Sequence, residues 1–431
     1  LGLILYAVAT YSTLTRFPGP AALVPCLGAG LLIVSNHGPR TVVGRLLSLS
    51  PFVLIGKISY SLYLWHWPLI VLYKARLIDS PSLNERLGLL VASFVLAWLS
   101  WLYVETPFRK PSASSPTPPR RVFQTFAAVT LVSIILGTTI YKNDGFESRF
   151  SAAVVQYMDS KLTREPGDKK DLLENGAPPL LIKETSAPDA RVLPVMIWGD
   201  SHARSILHLC RVACRESGTN IYASAFASSP PLLGTVYPPR QKSRDYNDAV
   251  LAFIKEKPIE TVILVGRWTS YALGDPESNR PSVGRASNDP GMSSREAFRA
   301  GFTRTIEALT EAGVAVWVMK QVPDQHIDLP GVLATATRFP SQAPDGIEAL
   351  GVTVEDHLEF QEFANEIIDE HAGDSVKVID PLLALKTATG RCRLERDGHS
   401  LYHDGDHLSD IGSLELRPLF APLFRTWTSG D

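Results

Sequence analysis

The chain has 431 residues, with 42 Lys and Arg against 44 Asp and Glu, a formal net charge of −2, and 45% hydrophobic residues. That length has room for two or more domains. The balanced charge offers nucleic acid no bulk attraction, and the four cysteines lack the spacing of a zinc site, so no metal is expected.

The apolar residues are unevenly placed. Residues 1–15 open inside an apolar run, Leu1-Gly2-Leu3-Ile4-Leu5, with no basic segment before it. This reads as the remnant of a membrane helix in a chain truncated at its N-terminus, and fits a secretory leader poorly. Phe17-Pro18-Gly19-Pro20 predicts a turn, and Ala21 to Val34 a second apolar helix. Residues 36–51 read as a polar loop with Arg40 and Arg45. Phe52 to about Ile78 contains a third helix, and Arg86 to Val104 is a fourth. Glu105-Thr106-Pro107-Phe108-Arg109-Lys110 then leads into a Ser/Pro-rich linker. Val122 to Tyr141, twenty uncharged residues, is the clearest single span. Arg40, Arg45 and Lys57 bracket one loop, and Arg109, Lys110, Arg120 and Arg121 another, so both are expected to be cytoplasmic. Lys74, Arg76 and Arg86 dilute that bias. Everything after the 122–141 span is then extracytoplasmic.

Residues 142–190 are polar and read as a connector, with Gln156 to Lys161 a candidate helix. An alternation follows. Strands are expected at 192–198, 220–225, 260–266, 314–319 and 376–380, and helices at 202–217, 245–256, 295–312 and 355–371. Short apolar strands alternating with helices predict a parallel sheet covered on both faces, a three-layer sandwich of flavodoxin type. Residues 273–292 and 323–350 read as long loops of the kind that face substrates. A disulfide among Cys210, Cys214 and Cys392 is open if this region lies outside the cytoplasm.

The chemistry gathers at two stretches. Val195-Met196-Ile197-Trp198-Gly199-Asp200-Ser201-His202 is a strand, a tight turn and a helix start. It places Ser201 at the carboxyl edge of the sheet, beside free N–H groups that suit a developing oxyanion. The plain alternative is that Asp200 or Ser201 only caps the helix. Tyr402-His403-Asp404-Gly405-Asp406-His407-Leu408-Ser409 supplies Asp404 and His407 three apart: a base for the serine and an acceptor to fix the base's tautomer. Asp406 is the competing carboxylate, and His403 is expected at the surface.

These two motifs, GDSH followed by DxxHLS, resemble those of the SGNH hydrolase superfamily of serine esterases and acyltransferases. The resemblance implies Ser201, Asp404 and His407 as the catalytic residues. Such proteins add a glycine and an asparagine to the oxyanion hole. Here the corresponding stretches read Ser228-Ser229-Pro230-Pro231-Leu232-Leu233-Gly234 and Gly266-Arg267-Trp268, which depart from that pattern. Gly234 and Arg267 are candidate donors, Arg267 could instead bind an anionic group, and Trp268 could stack on a sugar. A purely structural Arg267–Trp268 cation–π pair is the alternative.

Gly56 to Pro68, with its Tyr60, Tyr63, Trp65, His66 and Trp67, together with Val104-Glu105-Thr106-Pro107-Phe108-Arg109, resembles the end of the acyltransferase-3 membrane family, whose members move acyl groups onto surface glycans. His66 is a membrane-site candidate or a packing residue; the basic-residue-plus-histidine motif of that family's first helix has no counterpart here. The resemblances together imply four segments. Residues 1–110 form the end of the membrane domain, 111–145 a linker with an additional transmembrane helix, 146–190 a connector, and 191–431 an SGNH hydrolase-like domain. The implied protein is an O-acyltransferase, chiefly an O-acetyltransferase, of the bacterial inner membrane, modifying a surface polysaccharide through an acyl-serine. Acetyl-CoA is its expected donor, with no tightly bound cofactor and no nucleic-acid partner. An extracytoplasmic carbohydrate esterase and a non-catalytic glycan-presenting module are the alternatives.

Overall fold

Leu1–Arg149 and Phe150–Asp431 are separate compact units. The computed structural model describes residues 1–12, 15, 19–37, 41–106, 119–160, 180–182, 191–236, 243–273, 285–286 and 292–428.

The first unit is helical where the apolar runs are. Its helices are Gly2–Thr10, Leu23–Ser35, Val42–Leu47, Ser50–Lys74, Leu83–Ser100 and Pro119–Lys142, with Trp101–Glu105 continuing the fifth as a wider turn. By length and composition, Leu83–Glu105 and Phe123–Lys142 suffice to cross a membrane. Ser82 and Glu85 cap each other's backbone at the start of Leu83–Ser100, a Ser-x-x-Glu box legible in the sequence. One expectation needs correction. The polar loop over 36–51 contains the helix Val42–Leu47, because the Thr41 hydroxyl accepts from the Gly44 N–H at 3.0 Å and nucleates a turn. The helix expected within Phe52 to about Ile78 runs over Ser50–Lys74. Arg40, Arg109, Lys110 and the Ser/Pro-rich linker lie outside the described residues.

The second unit is a six-stranded sheet between two helical layers. Its strands are β1 (Leu180–Ile182), β2 (Arg191–Gly199), β3 (Thr219–Ala225), β4 (Thr261–Val265), β5 (Ala315–Met319) and β6 (Val376–Ile379), in the spatial order β1-β3-β2-β4-β5-β6. All neighbours from β3 to β6 pair in parallel, as expected, and β1 adds an antiparallel edge to β3 that the sequence pattern did not reveal. The alternation of side chains along β2 and β4 divides the core. Leu193, Val195, Ile197, Ile263 and Val265 face one cluster, and Met196, Trp198, Val262 and Leu264 the other. Nearly every one of these is fully buried, which explains apolar runs rather than alternation in the sequence.

The expected helices appear as Ser201–Ser205 with Leu207–Ser217, Ser243–Glu256, Ser294–Glu311 and Val354–Glu370. The first is therefore broken at Ile206. The expected loop over 323–350 contains the helix Leu329–Arg338, whose Leu329, Leu333 and Ala334 enter the core. Most of 273–292 lies outside the described residues. The candidate helix in the connector forms as Ala152–Asp159, and its Val154 and Tyr157 are buried in the second unit's core. Cys210, Cys214 and Cys392 are buried thiols, and the disulfide left open by the sequence does not form among them. Strand order reverses direction at β2: the chain runs outward to β3 and returns to β4. Ligands of open α/β sheets bind at that switch point, beyond the carboxyl ends of the two strands.

Candidate active site

Gly199 ends β2 opposite Ala225 of β3 and Val265 of β4. A Cβ at Gly199 would lie 1.9 Å from the Val265 carbonyl oxygen, so only glycine lets the two strand ends run this close. Asp200 follows, fully buried, and ties the turn together. Its Oδ1 accepts the His202 N–H at 2.8 Å, and its Oδ2 accepts the Arg267 N–H at 2.9 Å and the Tyr271 hydroxyl at 2.6 Å. Asp200 is thus the helix cap, which leaves Ser201 at the first helical position with its hydroxyl uncommitted to capping.

The partner loop is built as tightly. Tyr402 pairs with Leu408 across it, and the His403 N–H donates to the His407 carbonyl at 3.0 Å. Ser409 caps the next helix, accepting the Gly412 N–H at 3.0 Å. Asp404 Oδ1 accepts the backbone N–H groups of Asp406 at 3.0 Å and His407 at 2.8 Å, which folds the loop around the carboxylate. Gln325, after β5, fixes it from outside through an N–H bond to the Gly405 carbonyl at 2.7 Å.

The two stretches meet. His407 Nε2 lies 2.7 Å from Ser201 Oγ, and His407 Nδ1 lies 2.8 Å from Asp404 Oδ2. A second carboxylate is there too, with Asp406 Oδ1 at 3.0 Å from the same Nδ1. Asp406 Oδ2 forms an ion pair with Arg267, Nε lying 2.7 Å away, and stands 3.5 Å from His202 Nε2. Arg267 Nη2 also reaches Asp324 Oδ2 at 2.6 Å. His202, buried beside this network, packs its ring 4.6 Å from that of His407. Burial by itself would raise both carboxyls and lower the imidazole. Hydrogen bonds and charges outweigh it, from His202 and then His407 at Asp406, from His407 at Asp404, and from both carboxylates at His407, so Asp404 and Asp406 are held below the usual carboxylate range and His407 above the usual imidazole range.

The other expected site residues fall elsewhere. Trp268 is fully buried; its Nε1–H donates to the Met319 carbonyl at 2.8 Å, and its ring meets Phe302 edge-on at 5.7 Å. It cannot stack on a sugar, and it faces the opposite core from the side on which Arg267 joins Asp406, so the cation–π alternative fails as well. Arg267 spends its guanidinium on Asp324 and Asp406 rather than on an oxyanion. Gly234, at φ +70°, lies against Arg304, whose guanidinium bonds the Leu233 carbonyl at 2.7 Å; its role is a turn, not a donor at Ser201. His403 is not a free surface residue but lies half-buried, 3.3 Å from Asp404 Oδ2. In the first unit, His66 Nδ1 is 2.9 Å from the Tyr63 carbonyl of its own helix, and the ring lines a groove of about 640 Å³ with Arg86, Leu90 and Ser93.

Sequence reasoning missed His202 as a neighbour of the base, and Asp324; only the motif position of His202 carried any signal. The donor atoms of His202, Asp406 and His407, and those of His403, Asp404 and His407, lie within 4.8 Å of one another. That spacing would admit a metal, but Asp406 already receives the positive charge of Arg267.

The model of the family described as "SGNH domain (fused to AT3 domains)" matches residues 170–422, more than half of the chain. The chain belongs to this family. Its SGNH domain contains both motif stretches. Among curated relatives, the peptidoglycan O-acetyltransferase OatA of Listeria monocytogenes is 34% identical over 95 residues, 22% of this chain and 15% of that protein. The O-acetyltransferase OatA of Staphylococcus aureus is 32% identical over 113 residues, 26% of this chain and 18% of that protein. The matched segments thus cover less than a fifth of these relatives. A solved lipopolysaccharide acetyltransferase periplasmic domain of Salmonella ser. Paratyphi A aligns at 16% identity and a TM-score of 0.41, over 55% of this chain and 84% of that one.

Proposed function

We propose that this protein is an O-acetyltransferase that esterifies sugar hydroxyls of a bacterial cell-surface glycan through an acyl-enzyme on Ser201. The observation that carries the reading is the hydrogen-bonded chain Ser201–His407–Asp404, within a domain whose family is fused to acyltransferase membrane domains. Membership in that family and the O-acetyltransferase names of the relatives support transfer to a glycan over simple hydrolysis.

The geometry supports the following steps. His407 Nε2 takes the Ser201 Oγ proton as the oxygen attacks the acetyl carbonyl. Asp404 holds the Nδ1 proton in place, so the free lone pair points at Ser201. The Ser201 N–H, at the first helical position, is the proposed oxyanion donor. As the tetrahedral intermediate collapses, His407 returns the proton to the leaving group and Ser201 keeps the acetyl ester. A sugar hydroxyl then gives its proton to His407 and attacks the acyl carbon; the bond to Ser201 Oγ breaks, His407 returns the proton to Oγ, and the O-acetyl sugar leaves. Acetyl-CoA is the proposed donor at the cytoplasmic face, with the acetyl group carried through the membrane part. The domain of Phe150–Asp431 works on the periplasmic side, tethered by the span Phe123–Lys142. An esterase would use the same atoms with water as acceptor.

The test is Ser201→Ala in the producing cell, scored as base-labile acetate on the surface glycans. Loss of acetylation with normal amounts of folded protein is expected. Unchanged acetylation would overturn the assignment.

A further inference from the structure

A serine triad needs one acceptor behind its histidine; here Asp404 is that acceptor, and a second carboxylate, Asp406, stands beside it at ion-pair distance. Asp404 Oδ2 and Asp406 Oδ1 stand 2.8 and 3.0 Å from the same His407 Nδ1. Two carboxylates converging on one N–H, one of them buried, repel each other unless a cation balances them. Arg267 does so, with its Nε 2.7 Å from Asp406 Oδ2 and its Nη2 2.6 Å from Asp324 Oδ2. The two ends of Asp406 therefore do different work: one faces the base and the other a fixed positive charge.

We propose that Asp406, held against Arg267, is a positioning residue that sets its negative charge beside the His407 Nδ1 proton held by Asp404, and so sets the pH range over which His407 can act as a base. The inference rests on the proposed role of His407. Asp404 orients the ring, because it alone also receives the loop's backbone N–H groups. Asp406 adds negative charge, and Arg267 limits how much of it the imidazole feels. The other groups facing His407 are Ser201 and His202 from the turn after β2, His403 from its own loop, and Asp324 with His326 behind Arg267. Asp200 and the deeply buried Tyr402 lie beneath the two loops that hold the pair.

The arrangement requires shifts of opposite sign. Asp406→Asn removes a charge that favours the imidazolium, so His407 loses its proton at lower pH. Arg267→Gln unmasks that charge, so His407 keeps its proton to higher pH. Each shift is expected to be about one pH unit, the scale for a neighbouring charge. Arg267→Lys keeps the cation and is expected to stay near the parent.

Two readouts on the full chain in detergent separate this inference from the function beneath it. The first is the rate of His407 carbethoxylation by diethyl pyrocarbonate across pH, followed by peptide mass spectrometry, which reports the neutral imidazole whether or not the enzyme turns over. The second is the acid limb of Ser201-dependent hydrolysis of p-nitrophenyl acetate. Opposite displacements for Asp406→Asn and Arg267→Gln in the carbethoxylation profile are the expected result. No displacement, or displacement in one common direction, would overturn the proposal, as would Asp404→Asn shifting the profile while Asp406→Asn leaves it in place. Absence of any Ser201-dependent turnover would count against the acyl-enzyme and leave the titration result standing.

Discussion

Replacing Asp200 tests how the site is built, separately from its chemistry. In Asp200→Ala three donors lose their acceptor together: the buried His202 N–H and Tyr271 hydroxyl and the part-buried Arg267 N–H. A buried donor left unsatisfied costs about 1–3 kcal/mol, while removing a buried carboxylate returns part of its desolvation penalty, so the net loss is about 4 kcal/mol. At a few degrees per kcal/mol for a domain of this size, the second unit should melt roughly 10 °C lower. Asp200→Asn keeps the shape but turns one acceptor into a donor. It must face either the His202 or the Arg267 N–H, and should lose about half as much. Differential scanning fluorimetry of the full chain in detergent reads both, and the order parent, Asn, Ala is expected. Because the same carboxylate joins the Ser201 turn to the Arg267 loop, ester turnover should fall in both variants. An Asp200→Ala protein that melts with the parent would show that the turn is held by something else.

Other outcomes follow from single contacts. Trp268→Phe should lower stability by about 1–2 kcal/mol through the lost bond to the Met319 carbonyl, with the acceptor KM unchanged; a selective rise in KM would restore the sugar-stacking role. Gly199→Ala drives a Cβ to 1.9 Å from the Val265 carbonyl and should leave the second unit unfolded or poorly expressed, measured as soluble yield and near-ultraviolet circular dichroism. His357 is buried and its Nδ1 has no hydrogen-bond partner among the described residues; burial pushes it down to about 4 from an ordinary 6.5. The unfolded chain therefore takes that proton first. The stability is fully present above about pH 6.5 and is lost as pH falls towards 4, by about 3 kcal/mol at the low end. Urea midpoints from pH 7 to 4 should show the fall, and His357→Gln should flatten it; an unchanged slope would refute the assignment.

How far the sequence reached can be seen residue by residue. The five parallel strands were legible because both faces of the sheet are covered, so Val195 to Trp198 and Val262 to Val265 had to be apolar throughout. Gly199-Asp200-Ser201 was legible because a strand end, a cap and a helix start leave few residue types free. What stayed hidden was direction. Arg267 and Trp268 are neighbours in the chain, yet one turns to the Asp406 carboxylate and the other into the core under Phe302. Nothing local fixes which does which. Asp404 and Asp406 posed the same difficulty: spacing favoured Asp404, and only the folded loop shows that both reach Nδ1. The helix Leu329–Arg338 was missed because its Pro330 and Gly331 read as loop, although proline is well placed in a first helical turn.

The most direct test of the account is to trap the acyl-enzyme. The full chain in detergent is incubated with an activated acetyl ester, with and without candidate surface oligosaccharides, and both protein and sugars are weighed by mass spectrometry. The expected result is one acetyl group on the peptide carrying Ser201, lost to a sugar hydroxyl when the right acceptor is added and absent in Ser201→Ala. An acetyl group that leaves only to water with every acceptor offered would make the protein an esterase, and acetylation that persists in Ser201→Ala would contradict the mechanism.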